Sequence, residues 1–255
     1  MEAFEITYVT RDGSHVRDDW VTEEIPLTIE INGREIATLL ASPTGLEDLV
    51  LGFLFTAGLI PDASAVRSIA IDDRLWKADA TITAEGLGEE LAFKRIYTSG
   101  CGRGIVFSTS LDLINRVKLP PGLTVKASVI LDLMKTLLST SEEHRKTGGV
   151  HSAALADTAG TVITADDIGR HNAVDKVVGR ALTRGVTFSE CLLLTSGRIS
   201  SEILGKVLRC RIPVIISPGA PTNQAVRLAR EANLTLIGHT RGARMNIYSA
   251  PERIR

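Results

Sequence analysis

Cys101 lies in the run Tyr97-Thr98-Ser99-Gly100-Cys101-Gly102-Arg103-Gly104, a thiol framed by three glycines and one arginine. Glycine on both sides permits turn conformations barred to other residues and removes side chains that would shield the sulfur. Arg103 can stabilise the thiolate, which is the nucleophilic form. The pattern therefore predicts an exposed, mobile nucleophile, although it also suits a small residue in a glycine-rich turn. Cys191 opens Cys191-Leu192-Leu193-Leu194 and Cys210 follows Lys206-Val207-Leu208-Arg209. Both read as small apolar core residues. Three cysteines make no disulfide framework and their spacing matches no zinc ligand pair, so the expected compartment is reducing.

Further candidates follow apolar runs in the second half. They are Thr195-Ser196-Gly197-Arg198, then Ser217-Pro218-Gly219-Ala220-Pro221, then His239-Thr240-Arg241-Gly242-Ala243-Arg244. Open α/β sheets bind ligands beyond the carboxyl ends of their strands, so the three loops should line one crevice. The helix N-termini after the first two would offer free N–H groups to an anion, and Arg241 and Arg244 can fork onto phosphate oxygens. A phosphorylated ligand is the natural inference. The segment from Asp166 to Lys176 is dense in ionisable groups. Asn172 or Asp167 could cap a helix there, while Arg170 and His171 could approach the crevice. His151 stands just before a further strand.

The elements that must position these residues read as follows. The first hundred residues are mainly strands. Leu27, Ile29 and Ile31 alternate with polar residues, and Asn32-Gly33 makes a hairpin turn. One helix interrupts them, with capping-box spacing at Thr44 to Glu47 and apolar residues from Leu46 to Ala57. A second helix carries Val129 to Leu138. From residue 151 strands and helices alternate, which predicts an α/β domain with a mainly parallel or mixed sheet covered on both faces. Leu119-Pro120-Pro121-Gly122 breaks the pattern. This divides the chain into a strand-rich domain over 1–120, carrying Cys101, and an α/β domain over 121–255.

Composition excludes some classes. Net charge is −1 and aromatics are 4%, so general nucleic-acid binding, which needs a basic surface and stacking rings, is not expected. No apolar run approaches the ~20 residues that span a bilayer, and the first residues lack the pattern of a signal peptide. A soluble, cytoplasmic protein is expected, with no membrane partner.

Five segments carry a resemblance. They are Ser99–Gly102, Thr147–Ala153, Asp167–Lys176, Thr195–Arg198 and Asn233–Gly238, joined by the helix from Glu47 to Thr56. Together they resemble the FdhD/NarQ family of formate dehydrogenase accessory sulfurtransferases over nearly the whole chain. The resemblance implies a sulfur carrier that takes sulfur from a cysteine desulfurase as a persulfide on Cys101. Its acceptor would be bis-molybdopterin guanine dinucleotide, destined for formate dehydrogenase. The resemblance further implies that His239, Thr240, Arg241, Gly242, Ala243 and Arg244 bind that molybdenum cofactor, with GDP as a partial mimic. A homodimer and a cytidine-deaminase-like second domain are implied as well. Deaminase activity is not, because the His-x-Glu and Pro-Cys-x-x-Cys zinc pattern is absent. Many relatives carry Cys-x-x-Cys in the first loop, whereas this chain has Gly104 in place of the second thiol. That departure keeps open the alternative of a binding chaperone that escorts the cofactor without chemistry.

Overall fold

The computed structural model describes residues 1–83, 117–160 and 162–255. The chain opens with an antiparallel ribbon of β1 (Glu2–Thr10) and β2 (Gly13–Val21), whose residues are almost all exposed. β3 (Ile25–Ile31), β4 (Arg34–Ala41), β5 (Val66–Asp72) and β6 (Lys77–Ile82) form a four-stranded sheet in the order β4-β3-β6-β5. Leu27, Ile29 and Ile31 point inward at 0–1% exposure. Asn32 and Gly33 close the β3–β4 hairpin with positive φ values of 49° and 77°, the conformation a tight hairpin turn requires.

Helix α1 (Leu46–Thr56) follows β4. Its cap is not the hydroxyl expected from Thr44. Gly45 holds the N-cap position at φ 63° with no side-chain hydrogen bond, a left-handed conformation that glycine adopts without steric cost. Leu49, Val50 and Leu54 are fully enclosed, and every residue from Leu49 to Thr56 is buried, while Glu47 and Asp48 of the first turn reach solvent. A helix so enclosed must have cover on both flanks. The second flank is α4 (Arg170–Thr183) from the other half of the chain.

The larger sheet has six strands in the order β12-β11-β10-β9-β7-β8. They are β7 (His151–Asp157), β8 (Val162–Asp167), β9 (Cys191–Thr195), β10 (Val214–Ile216), β11 (Thr235–Arg241) and β12 (Arg244–Ser249). β9, β10 and β11 pair in parallel, β8 runs in the same direction, and β7 and β12 run antiparallel to their neighbours. The sheet is thus mixed. Crossovers pass through α4, α5 (Ser201–Arg209) and α6 (Asn223–Glu231), each stepping in the same direction along the sheet. Right-handed connections with one direction of travel place their helices on one face. The core agrees: Val177, Leu204 and Leu228 pack with Leu155, Leu193, Ile215 and Leu236. The opposite face, with Ala154, Leu192, Leu194 and Ile216, is covered by α2 (Ala127–Thr140) through Ile130, Met134 and Leu137. A short helix α3 (Glu142–Thr147) leads from α2 into β7.

Strand order never reverses among β8, β9, β10 and β11, so the loops that follow them form a row along one rim.

Candidate functional site

The carboxyl ends of β8, β9, β10 and β11 share that rim with the start of β7, because β7 runs against β8 and β9. Backbone hydrogen bonds stitch the loops together. Ser217 Oγ donates to Gly197 O at 2.6 Å and accepts from Gly219 N at 2.9 Å. His239 N donates to Gly219 O, and Thr240 N to Ser217 O. The expected convergence of the 195–198, 217–221 and 239–244 segments is therefore present. The free N–H groups are fewer than expected. Ser200 and Thr222 cap α5 and α6 with their own hydroxyls, and Glu202 places a carboxylate in the first turn of α5. Both features diminish an anion's attraction to those ends.

Residues 239–244 form the end of β11, a turn and the start of β12. His239 adopts a left-handed conformation at φ 52°, within a register shift between Gly238 and Arg241. The bulge turns Thr240 inward to 1% exposure while His239 and Arg241 stay exposed. Gly242 supplies the turn at φ 59°. Arg241 Nε donates to Pro218 O at 3.3 Å, which steers its guanidinium back over the β10 loop. Neither Arg241 nor Arg244 has a carboxylate partner among the described residues, and Thr240 Oγ1 is buried without a hydrogen-bond partner. His239, Arg244 and Asn246 line an open depression of about 250 Å³ beside the turn. Two unpaired guanidinium groups, an orphaned buried hydroxyl and a depression fit a phosphate-bearing ligand.

The charge-dense segment after β8 divides into two parts. Lys176 Nζ lies 2.7 Å from Asp167 Oδ2, with side chains 2% and 0% exposed. Asp167 also accepts from Ser42 N, Gly169 N and Asn172 Nδ2, and Asn172 Nδ2 reaches Leu40 O. Asp175 pairs with Lys206 and accepts from Thr56 Oγ1. These residues tie the β4–α1 connection and α1 itself to α4 and α5, so their role is structural. Arg170 and His171 instead lie at the rim. Arg170 runs across Gly197, and His171 Nε2 is 3.2 Å from Glu202 Oε2 without hydrogen-bond alignment.

His151 Nδ1 is 3.2 Å from Ser196 Oγ, which also accepts from Ser152 N. Burial pushes the His151 pKa below its ordinary value, and the charges of Arg170, His144 and His171 push the same way against Asp167. The sequence places His151 and Ser196 on separate strands, and nothing local announces that β7 and β9 are neighbours. Asn246 likewise joins the site only through the β11–β12 pairing.

Cys191 and Cys210 are buried at 4% exposure. Burial raises both thiols, Cys191 to about 11 and Cys210 further. Cys101 lies outside the described residues. Among them, no helix is long and apolar enough to cross a membrane.

Comparison with known proteins places this arrangement. Curated proteins from Staphylococcus aureus strains MRSA252 and Newman, both named sulfur carrier protein FdhD, are 41% identical over 93% of this chain and 89% of theirs. A crystal structure assigned as a formate dehydrogenase accessory protein from Desulfotalea psychrophila superposes with a TM-score of 0.81. It shares 25% identity and covers 100% of this chain and 99% of that one. The model of the FdhD/NarQ family matches residues 22–255, and the chain belongs to that family.

Proposed function

We propose that this protein is a sulfur carrier serving formate dehydrogenase. Cys101 accepts sulfur from a cysteine desulfurase as a persulfide, and the 239–244 turn holds bis-molybdopterin guanine dinucleotide as the sulfur acceptor. The observation that carries the reading is the 41% identity, over 93% of the chain, to relatives named as sulfur carriers. Two features of the molecule support it. Cys191 and Cys210 are enclosed with raised pKa values, so neither thiol is poised to act as a nucleophile. Arg241 and Arg244 lack acidic partners among the described residues and suit a pyrophosphate. The protein acts as a sulfurtransferase in the cytoplasm, as a homodimer.

A persulfide needs one point of attachment, so Gly104 in place of a second thiol leaves the carrier chemistry intact. Incubation with a desulfurase and cysteine, followed by intact-mass measurement, tests this directly. A gain of one sulfur atom that is lost on reduction and absent from Cys101→Ala supports the carrier. Cys101→Ala should also abolish activation of formate dehydrogenase. A full gain or full activation in that variant would leave the escorting chaperone as the better reading.

A further inference from the structure

We propose that Arg170 and Arg198 form a second anion subsite, for a phosphoryl group, two strands along the rim from the Arg241–Arg244 turn. Arg170 opens α4, and the would-be Cβ of Gly197 falls 2.9 Å from both its Cβ and its Cδ. The arginine stem is therefore laid across a glycine where no side chain could fit beneath it. Among the described residues its Nε is fully buried with no hydrogen-bond partner, as is His171 Nε2 apart from its misaligned approach to Glu202. Arg198 follows Gly197 directly, and its backbone touches Gly219. No ion pair engages either guanidinium among the described residues.

The helix end adds to this charge instead of relieving it. α4 is fourteen residues long, its cap is Gly169 with no side-chain hydrogen bond, and its first turn contains no acid. An arginine at the positive end of a helix repels the macrodipole. Such an arrangement suits a bound anion, which would meet the free N–H groups and the Arg170 fork together. The adjacent carboxylates are taken: Asp167 by Lys176 and Glu202 by its approach to His171. His151 faces the same cluster, and the neighbouring positive charge of Arg170 disfavours its protonation. This subsite does not depend on sulfur chemistry, so it stands or falls separately from the carrier reading.

The test uses the full chain with labelled histidines and pyrophosphate as probe, with inorganic phosphate and GDP as further arms. His151 and His171 report on this subsite and His239 on the turn. In a chain carrying Arg241→Ala and Arg244→Ala, pyrophosphate should still shift His151 and His171. Adding Arg170→Gln or Arg198→Gln should weaken that response at least tenfold. Response to pyrophosphate alone assigns the site to free phosphate species, and response to GDP as well assigns it to a nucleotide diphosphate; both support a subsite. Unchanged affinity in both glutamine variants overturns it, as does a complete lack of response at His151 and His171 to all three probes. Arg198 is exposed, so Arg198→Gln keeps the test decisive if Arg170→Gln disturbs folding, which the His15 and His144 signals would reveal.

Discussion

Gly52 of α1 and Gly179 of α4 face each other where the helices cross, with no space for a side chain on either. A Cβ on Gly52 would collide with the Asp175 carbonyl oxygen and sit 2.9 Å from Gly179 N. One on Gly179 would collide with the Asp48 carbonyl oxygen and sit 2.9 Å from Gly52 N. The obstructing atoms are backbone, so relief requires moving a helix. Gly52→Ala and Gly179→Ala should each cost about 3 kcal/mol or more, the upper range for overpacking. Urea unfolding midpoints read this, and a loss below ~1 kcal/mol in both would mean that the helices separate freely.

Lys176 makes a second prediction from the same seam. Its ammonium group is enclosed with Asp167 and also donates to Ser42 O and Asp166 O at 3.3 Å. Removing one partner of a buried pair leaves the other charge uncompensated, at a cost of about 3–5 kcal/mol. Lys176→Met should therefore be strongly destabilising. Removing both charges, as in Lys176→Met with Asp167→Asn, which keeps an oxygen to accept the surrounding N–H groups, should recover part of the loss if the uncompensated charge is the cause.

Much of the second half was legible because its strands are short apolar runs divided by helices, although the helix from Arg170 is capped by Gly169 without a side-chain bond, and not by Asn172 or Asp167. In the first half, Asn32-Gly33 announced the β3–β4 hairpin. The antiparallel entry of β7 beside β9 had no such signal, since pairing between distant strands depends on the assembled sheet. The same limit explains Asp167 and Lys176. A cluster of charges reads locally as exposed, yet its partners Leu40 and Ser42 come from the other half of the chain. The rim loops were legible from their position after strands.

Cys191 and Cys210 are both enclosed. The raised pKa values of Cys191 and Cys210 leave almost no thiolate near pH 7.5, and burial blocks access to both. The native chain should take up one equivalent of iodoacetamide, at Cys101, against three in denaturant. Mass mapping that finds rapid native labelling at Cys191 or Cys210 would contradict their enclosure.

His151 gives a pH signature. Its folded pKa is lowered, first by burial and then by Arg170, His144 and His171, with Asp167 opposing. The unfolded chain therefore binds the proton more readily, and stability rises with pH across the interval between the folded value and about 6.5. Acidification through that interval should destabilise the protein, and the loss is complete below the folded value. His151→Asn should flatten this part of the pH dependence of urea unfolding. An identical slope in the variant would assign the effect to other groups.

Arg241 and Arg244 carry the last prediction, which concerns the turn between β11 and β12 and the phosphate-bearing ligand proposed for it. The bulge at His239 and the left-handed Gly242 set the two guanidinium groups on one short hairpin, beside the depression lined by His239, Arg244 and Asn246. A charge-assisted hydrogen bond to a diphosphate contributes about 1.5–3 kcal/mol. Arg241→Ala or Arg244→Ala should therefore weaken GDP binding by ~10- to 150-fold in isothermal titration, by the usual conversion of free energy to affinity. Arg241 also donates to Pro218 O, so part of its loss should appear as a looser β10 loop, seen as faster hydrogen exchange over residues 217–221. Arg244 has no such tether. Its replacement should weaken binding and leave that exchange unchanged, and equal affinity for GDP in both variants would remove the hairpin from the site.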